Sequence, residues 1–396
     1  MNIRNSLLLT LALGVSAAVL AHGPASMPEK NVEGREIQFP DTADRLTLSV
    51  DLHTHSVFSD GHVWPRIRVG EAIRDGLDAM AITEHLEWQP HLADIPHEDR
   101  NRAYAEAVAS LPEDSDLILI AGSEITRSEP IGHMNAVFIE DANALLRRGM
   151  PSDPVDVRDY YVQSGQWPAA EVLAAASEQN AFVFWIHAWW HLPNQMAVMT
   201  DFHTQAVNDG MLHGMEIANG DTYSPEAFQI ALDHDLTLIG VSDVHELIDW
   251  DYPPHVGAHR PVNLELSEER SAESIRDALM EGRTVVWFKN LLFGRERDLM
   301  PLLEASVEAT DASWRGESSV LELTLTNRSD AAFLLENLSE YTLTNGANTL
   351  TVPPHSSDTY RFRVAARAEQ LSLRVRVRNA LTAPDVYAEM RFEVTP

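Results

Sequence analysis

The sequence predicts an α/β chain, a barrel of seven or eight βα units followed by a small all-β sandwich. Three observations predict it. Between Leu46 and about Phe288, short apolar runs alternate with stretches whose apolar residues recur three and four apart, the pattern of strands and helices wound around a parallel sheet. After Pro301 apolar and polar residues alternate with period two, as in Leu321-Glu-Leu-Thr-Leu-Thr, which is half-buried antiparallel sheet. The length, 396 residues, suits two domains, or one large barrel with an appendage.

The first 21 residues read as a secretory signal, with Arg4 before an apolar stretch from Leu7 to Leu20 and a small-residue context, Val19-Leu20-Ala21, for cleavage after Ala21. The apolar run falls short of the roughly 20 residues a spanning helix needs. The expectation is export to the periplasm or beyond, with no stable membrane anchor after cleavage. The barrel is expected over residues 22–300. Its strands are Leu48–His53, Ala79–Thr83, Leu117–Gly122, Asn135–Ile139, Phe182–Ile186, Met215–Ala218 and Leu236–Val241, with Thr284–Phe288 as a candidate eighth. Helical spacing falls on Val69–Gly76, Arg102–Ser110, Ala169–Gln179, Ala227–Asp233 and Ala272–Gly282. Residues 301–396, whose short strands are punctuated by turn clusters such as Asn327-Arg-Ser-Asp and Asn345-Gly346, predict a sandwich of immunoglobulin type. It is expected to be an accessory to the barrel and separable from it.

Charge narrows the function. Lys plus Arg total 29 against 60 Asp plus Glu, a net of −31, and so acidic a surface repels a phosphate backbone, which excludes general binding of polymeric nucleic acid. Only Lys30 and Lys289 are lysines, and cysteine is absent. Lysine nucleophiles, thiolate zinc sites, disulfides and iron-sulfur clusters therefore drop out. Any metal is held by His, Asp and Glu.

Those residues fall at strand ends. Strand residues two apart face the same way, so His53 and His55 of Asp51-Leu-His-Thr-His enter one site together. Asp60 follows in Ser59-Asp-Gly, His85 in Thr83-Glu-His, Glu124 in Gly122-Ser-Glu and His133 in Gly132-His-Met-Asn. His187 ends Phe184-Trp-Ile-His, and Asp243 with His245 ends Gly240-Val-Ser-Asp-Val-His. Nine nitrogen and oxygen donors thus lie where α/β folds place active sites. Such donors suit zinc, manganese or iron, and a bound divalent ion lowers the pKa of its water toward about 7, supplying hydroxide without a protein nucleophile.

Taken in this order, the HxH, the aspartate before glycine, TEH, the lone glutamate, GH, the late histidine and DxH resemble the polymerase and histidinol phosphatase (PHP) family, over roughly Leu48 to Asn290. The signal segment, His259-Arg-Pro-Val and Lys289-Asn-Leu-Leu-Phe-Gly-Arg are similar to a secreted branch associated with phosphodiester hydrolysis. The resemblance implies a distorted PHP barrel with two to three divalent ions and a small phosphate ester as substrate. It further implies that His53, His55, Glu124 and Asp243 surround one ion and its attacking hydroxide. Glu124 would bridge to a second ion held by His133 and His187, and Asp60, His85 and His245 would hold a third. After His187 the chain departs from the family's usual His-Pro with Ala188-Trp-Trp-His, which makes His191 a candidate substitute ligand or substrate contact.

Around this set, Arg127 and Arg260 are candidate phosphate clamps, and Asn219 and Asn135 candidate amide donors. Asp51 and Glu84 are candidates for orienting imidazoles. Trp64, Trp189 and Trp190 are candidate walls of an ester pocket, with Trp185 read as core. His97, His203 and His355 read as surface residues. The competing functions are a phosphomonoesterase on the same scaffold, a binuclear amidohydrolase, whose bridging lysine has no counterpart here, and an exported metal- or ligand-binding protein without catalysis.

Overall fold

The computed structural model describes residues 36–146, 157–190, 192, 195–253 and 256–396; the expected signal segment and His191 lie outside them. The barrel is built of β1 (Leu46–Asp51), β2 (Ala79–Ile82), β3 (Ile118–Ile125), β4 (Met134–Val137), β5 (Phe182–Trp185), β6 (Gly214–Asn219), β7 (Thr222–Tyr223), β8 (Thr237–Val241), β9 (Val262–Ser267), β10 (Thr284–Phe288) and β11 (Leu291–Gly294). Its helices include α1 (Pro65–Arg74), α2 (Arg102–Ala109), α3 (Val157–Ser164), α4 (Ala169–Ser177), α5 (Asp201–Asn208), α6 (Pro225–Asp233), α7 (Ile248–Asp251), α8 (Ala272–Met280) and α9 (Glu296–Ser306).

The sheet is mixed. β1–β2, β2–β3, β5–β6 and β6–β8 pair in parallel, as the βα pattern requires. β4 runs antiparallel to both β3 and β5, because the eight residues between β3 and β4 are too few for the crossover a parallel pair needs. β9, unexpected from the sequence, lies antiparallel between β1 and β10. Side chains close the seam beside β8. The Gly240 N–H donates to Asn263 Oδ1 at 2.9 Å and the Thr284 hydroxyl to the Leu238 carbonyl at 2.8 Å. Only glycine fits at 240, since a Cβ there would lie 2.3 Å from Val286 Cγ1.

Inward side chains from several walls, among them Leu48 and Val50 of β1, Ala79 and Ala81 of β2, Phe182 and Phe184 of β5 and Ile239 and Val241 of β8, form one buried cluster with Ile275 and Leu279 of α8. Burying aliphatic and aromatic groups of this size contributes about 1.5–3 kcal/mol each. The interior below the strand ends is therefore packed, and functional groups are confined to the rim.

The C-terminal strands are β12 (Val307–Trp314), β13 (Val320–Asn327), β14 (Phe333–Asn337), β15 (Thr342–Leu343), β16 (Thr349–Val352), β17 (Ser357–Arg363), β18 (Leu371–Ala383) and β19 (Val386–Val394). One sheet has the order β12-β13-β17-β15 and faces β16-β14-β18-β19. Burial alternates strictly along β13, as the period-two reading required. The second sheet continues into the barrel, because β18 pairs in parallel with β11 through Leu292 and Ala380 and through Phe293 and Leu381. Helix α9 runs across residues 300 and 301.

Candidate metal centre

Eight of the nine donors come from the carboxyl ends of strands or the turns beyond them. His53 and His55 follow β1, His85 follows β2, Glu124 is the penultimate residue of β3, His133 immediately precedes β4, His187 follows β5, and Asp243 and His245 follow β8. Two isolated parallel bridges, Thr54 with Val244 and His85 with Glu124, prolong the pairing to the donors themselves. The ninth, Asp60, sits in a turn folded back on the HxH segment, where Ser59 and Gly61 donate to the Ser56 carbonyl at 3.0 Å. A Cβ at Gly61 would lie 2.7 Å from the backbone of His55 and Ser56, so Asp60 reaches the site only with glycine behind it.

The donors converge. Glu124 Oε2 is 3.1 Å from His53 Nε2 and 3.1 Å from His55 Nε2, while its Oε1 is 2.6 Å from His133 Nδ1, 3.3 Å from His85 Nδ1 and 3.8 Å from His187 Nε2. Asp243 Oδ1 lies 3.2 Å from His53 Nε2 and 3.1 Å from His55 Nε2. Asp60 reaches His245 Nε2 at 3.1 Å and His85 Nε2 at 3.3 Å. The His55 ring is stacked between those of His85 and His245, 4.6 and 4.4 Å away.

Three groups place their ligating atoms close enough together to hold an ion: His53, His55 and Glu124; His85, Glu124 and His133; and His55, Asp60, His85 and His245. His85 and His55 each serve two groups, where the sequence assigned each to one. The atoms fit cations. His53 Nε2 and His55 Nε2 face each other at 3.0 Å with a carboxylate oxygen of Glu124 and one of Asp243 beside both. Four lone-pair-bearing atoms around one point are matched by a metal ion better than by any set of hydrogens they can share.

The electrostatics are those of carboxylates crowded by imidazoles. Burial alone would raise the Glu124 carboxyl, but the charge of His85 and hydrogen bonds from His133, His187 and His53 hold it well below the usual range. Asp60 and Asp243 are likewise held low, against burial, by His245 and His85 in the first case and by His53 and His55 in the second. Burial would depress the His245 imidazole, yet its hydrogen bond to Asp60 and the charge of Asp243 push it up to about 9.

A residue the sequence reading missed organises the rear of the site. Glu216, fully buried on β6, takes His53 Nδ1 on Oε1 at 2.8 Å and the backbone N–H of His187 on Oε2 at 2.7 Å. Its signal was a lone acid inside the apolar run Met215–Ala218. Asn219 donates to Glu216 at 2.8 Å and to Asp243 at 3.2 Å, so this expected substrate contact faces the ligands. Asn135, opposite Glu124 in the β3–β4 ladder, is buried with no partner for either amide atom among the described residues.

Several expectations are corrected. Arg260 is wholly buried and donates to Asp51 and Asp75; a guanidinium committed to two carboxylates inside the fold cannot clamp phosphate. Arg127 is buried too, spent on Glu87 and on the Thr126 and Trp167 carbonyls. Asp51 holds Ser242 and Arg260 and bonds no imidazole among the described residues. Glu84 reaches His55 only through Ser59, whose hydroxyl lies 2.5 Å from Glu84 and 3.2 Å from His55 Nδ1. His97 and His203, expected at the surface, are buried. His203 stacks on Trp185 with centroids 3.8 Å apart, and His97 bonds the Ile95 carbonyl and Gln89.

Comparison with known proteins agrees with this geometry. A family model described as an Ig-like domain matches residues 307–393. No curated protein matches the chain. Among solved structures, a two-domain protein from Bacteroides vulgatus, described as containing a predicted PHP-like metal-dependent phosphoesterase, is 36% identical over 91% of this chain and 98% of its own, with a TM-score of 0.79. A proposed metal-dependent phosphoesterase from Bifidobacterium adolescentis is 21% identical over 59% of this chain and 96% of its own, with a TM-score of 0.38. An amidohydrolase from Chromobacterium violaceum is 17% identical over 53% and 90%, with a TM-score of 0.35. The last two are too distant to bear on function. The first is matched over nearly its whole length, and on that identity and coverage this chain belongs to the PHP-like family.

Proposed function

We propose that this protein is a metal-dependent phosphoesterase whose substrates are small organic phosphate diesters. The observation that carries the reading is Glu124, a buried carboxylate with four imidazoles, those of His53, His55, His85 and His133, within 3.3 Å of its two oxygens. Two or three divalent ions held there would polarise phosphoryl oxygens, activate water near neutral pH and take charge from the departing alkoxide.

The chain's own residues set that chemistry up. His53, His55, Asp60, His85, Glu124, His133, His187, Asp243 and His245 are the proposed ligands, all nitrogen or oxygen, which fits zinc, manganese or iron. Glu216 fixes the ring of His53 so that Nε2 faces the cluster. His245 and Asp60 are the open side, with side chains 33% and 25% exposed; the ester enters there, while the buried ligands behind exclude bulk water and strengthen every charge interaction. A cationic site inside a protein of net charge −31 favours a small phosphate ester over a nucleic-acid polymer. Export follows from the Arg4 to Ala21 segment on the same footing as the substrate.

The test is an assay of metal-depleted protein with 4-nitrophenyl phosphate, bis(4-nitrophenyl) phosphate and a phosphate triester, each with added zinc, manganese or iron. Metal-dependent turnover fastest on the diester is expected. Faster monoester turnover would move the reading to a phosphomonoesterase, and no turnover with any metal would overturn it.

A further inference from the structure

His187 is a proposed ligand in an unfavourable backbone conformation. Its φ of 28° is positive, a strained conformation for a residue with a side chain, which persists only where the surroundings impose it. Its ring also lies at the edge of the cluster, 3.8 Å from Glu124. Something outside the ligand set has to hold it.

Two contacts do so. The His187 backbone N–H is held by Glu216. The other face of the problem, the imidazole plane, is set by Trp190, whose indole stacks on His187 with centroids 4.6 Å apart and planes 14° apart, in a turn closed by the Trp190 N–H on the His187 carbonyl at 3.0 Å. Trp190 is 39% exposed and is not fixed by burial. It is fixed by Thr222: the indole N–H groups of Trp189 and Trp190 both donate to Thr222 Oγ1 at 3.3 Å, and that hydroxyl in turn donates to the Asn219 carbonyl at 2.9 Å. The Asn219 side chain reaches Glu216 and Asp243. One hydroxyl thus ties the turn carrying His187 to the strand end that supports the rest of the cluster.

We propose that Thr222 is a positioning residue, a clasp that holds Trp190 over His187 and so presents the His187 imidazole to a divalent cation. This rests on the reading of the cluster as a metal centre. Thr222 has a hydroxyl that accepts from both indoles and donates once, which valine, of nearly the same shape, cannot do.

The experiment compares Thr222→Val with Thr222→Ser in the full chain, with Trp190→Phe, which keeps a ring but loses the N–H, as a second disruption should the valine variant fold poorly. Two readouts are used: acrylamide quenching of tryptophan emission in metal-free protein, and calorimetric titration with Mn(II). Greater quenching is expected for Thr222→Val, and about tenfold weaker binding at one Mn(II) site, with the far-ultraviolet spectrum unchanged, for both Thr222→Val and Trp190→Phe, with wild-type behaviour for Thr222→Ser. If wild type binds Mn(II) and Thr222→Val binds it equally well, or if Thr222→Ser loses as much as Thr222→Val, the clasp is overturned and the metal reading stands. If wild type binds no Mn(II), Zn(II) or Fe(II), the metal reading itself falls and the proposal with it.

Discussion

Glu216 Oε1 lies 2.8 Å from Nδ1 of His53, on the side of the ring turned away from the cluster. That contact fixes the tautomer of a buried imidazole and makes Nε2 the lone-pair nitrogen facing Glu124 and Asp243. Outer partners of this kind are worth 10- to 100-fold in metal affinity. Glu216→Gln keeps the volume and removes the charge, so metal binding should weaken by about that factor while the fold persists. Calorimetric titration beside a circular dichroism melt checks it; unchanged affinity would show that His53 is oriented by other means.

Asp243 tests the chemistry directly. Its carboxylate touches both His53 and His55, and its backbone holds a φ of 51° that asparagine tolerates as well as aspartate. Asp243→Asn should reduce metal-dependent turnover of an aryl phosphate ester by about 10³-fold with a melting temperature within a few degrees of wild type. Undiminished turnover would place the reacting centre elsewhere.

The C-terminal domain looked like a separable accessory in the sequence, and its contacts predict otherwise. β18 covers β11, and one hydrophobic cluster contains Val262, Leu264 and Val285 of the barrel with Leu321, Phe333 and Val375 of the sandwich. A chain ending at Pro301 would expose that surface and an unpaired strand edge. It should aggregate or melt without a cooperative transition in size-exclusion and thermal measurements; a soluble, cooperatively folding truncation would refute this.

What the sequence could and could not reveal follows from the kind of signal each feature left. Strand ends were legible because HxH and DxH put two donors on one face at a spacing only a strand provides, and the apolar runs before them had the right length. β9 was not, because Asn263, Glu265 and Ser267 interrupt its apolar residues, and a polar face turned into a barrel reads like a polar face turned to water. Arg260 carries the same lesson, since a guanidinium facing two buried aspartates and one facing solvent are spelled alike. Glu216 was hidden by its neighbours: an acid flanked by Met215 and Ile217 looks like an interruption until His53 is found 163 residues away in sequence and 2.8 Å away in space.

His203 should make the protein acid-sensitive independently of any metal. Its Nε2 donates to the Ile131 carbonyl at 2.7 Å and its Nδ1 accepts from Thr200, so the neutral ring is satisfied and a second proton would meet an N–H. Burial holds its pKa down at about 4, with the Ile131 carbonyl opposing. The unfolded chain takes up a proton near 6.5 and the folded one does not, so stability is full above about 6.5 and falls as the pH drops toward 4, by roughly 3 kcal/mol in all. Denaturant midpoints of His203→Gln should fall less than wild type over that interval, and parallel curves would exclude the residue as a cause.

Glu265 acts with the opposite sign. It is wholly buried on β9, and neither carboxylate oxygen has a hydrogen-bond partner among the described residues. Burial raises its pKa well above the usual value and the charge of Asp298 adds to this, while Arg283 opposes. The folded protein therefore retains a proton that the unfolded chain releases near the ordinary carboxylate value. The stability linked to that proton is full below the unfolded pKa and declines as pH rises, by about 1.4 kcal/mol per unit, until the folded group ionises. Glu265→Gln preserves the shape of the neutral acid and cannot ionise, so at pH 8 it should be more stable than wild type, and the two should converge as the pH is lowered toward 5. Urea midpoints measured across that range decide it, and a variant that tracks wild type at every pH would mean that Glu265 is ionised and matched within the fold.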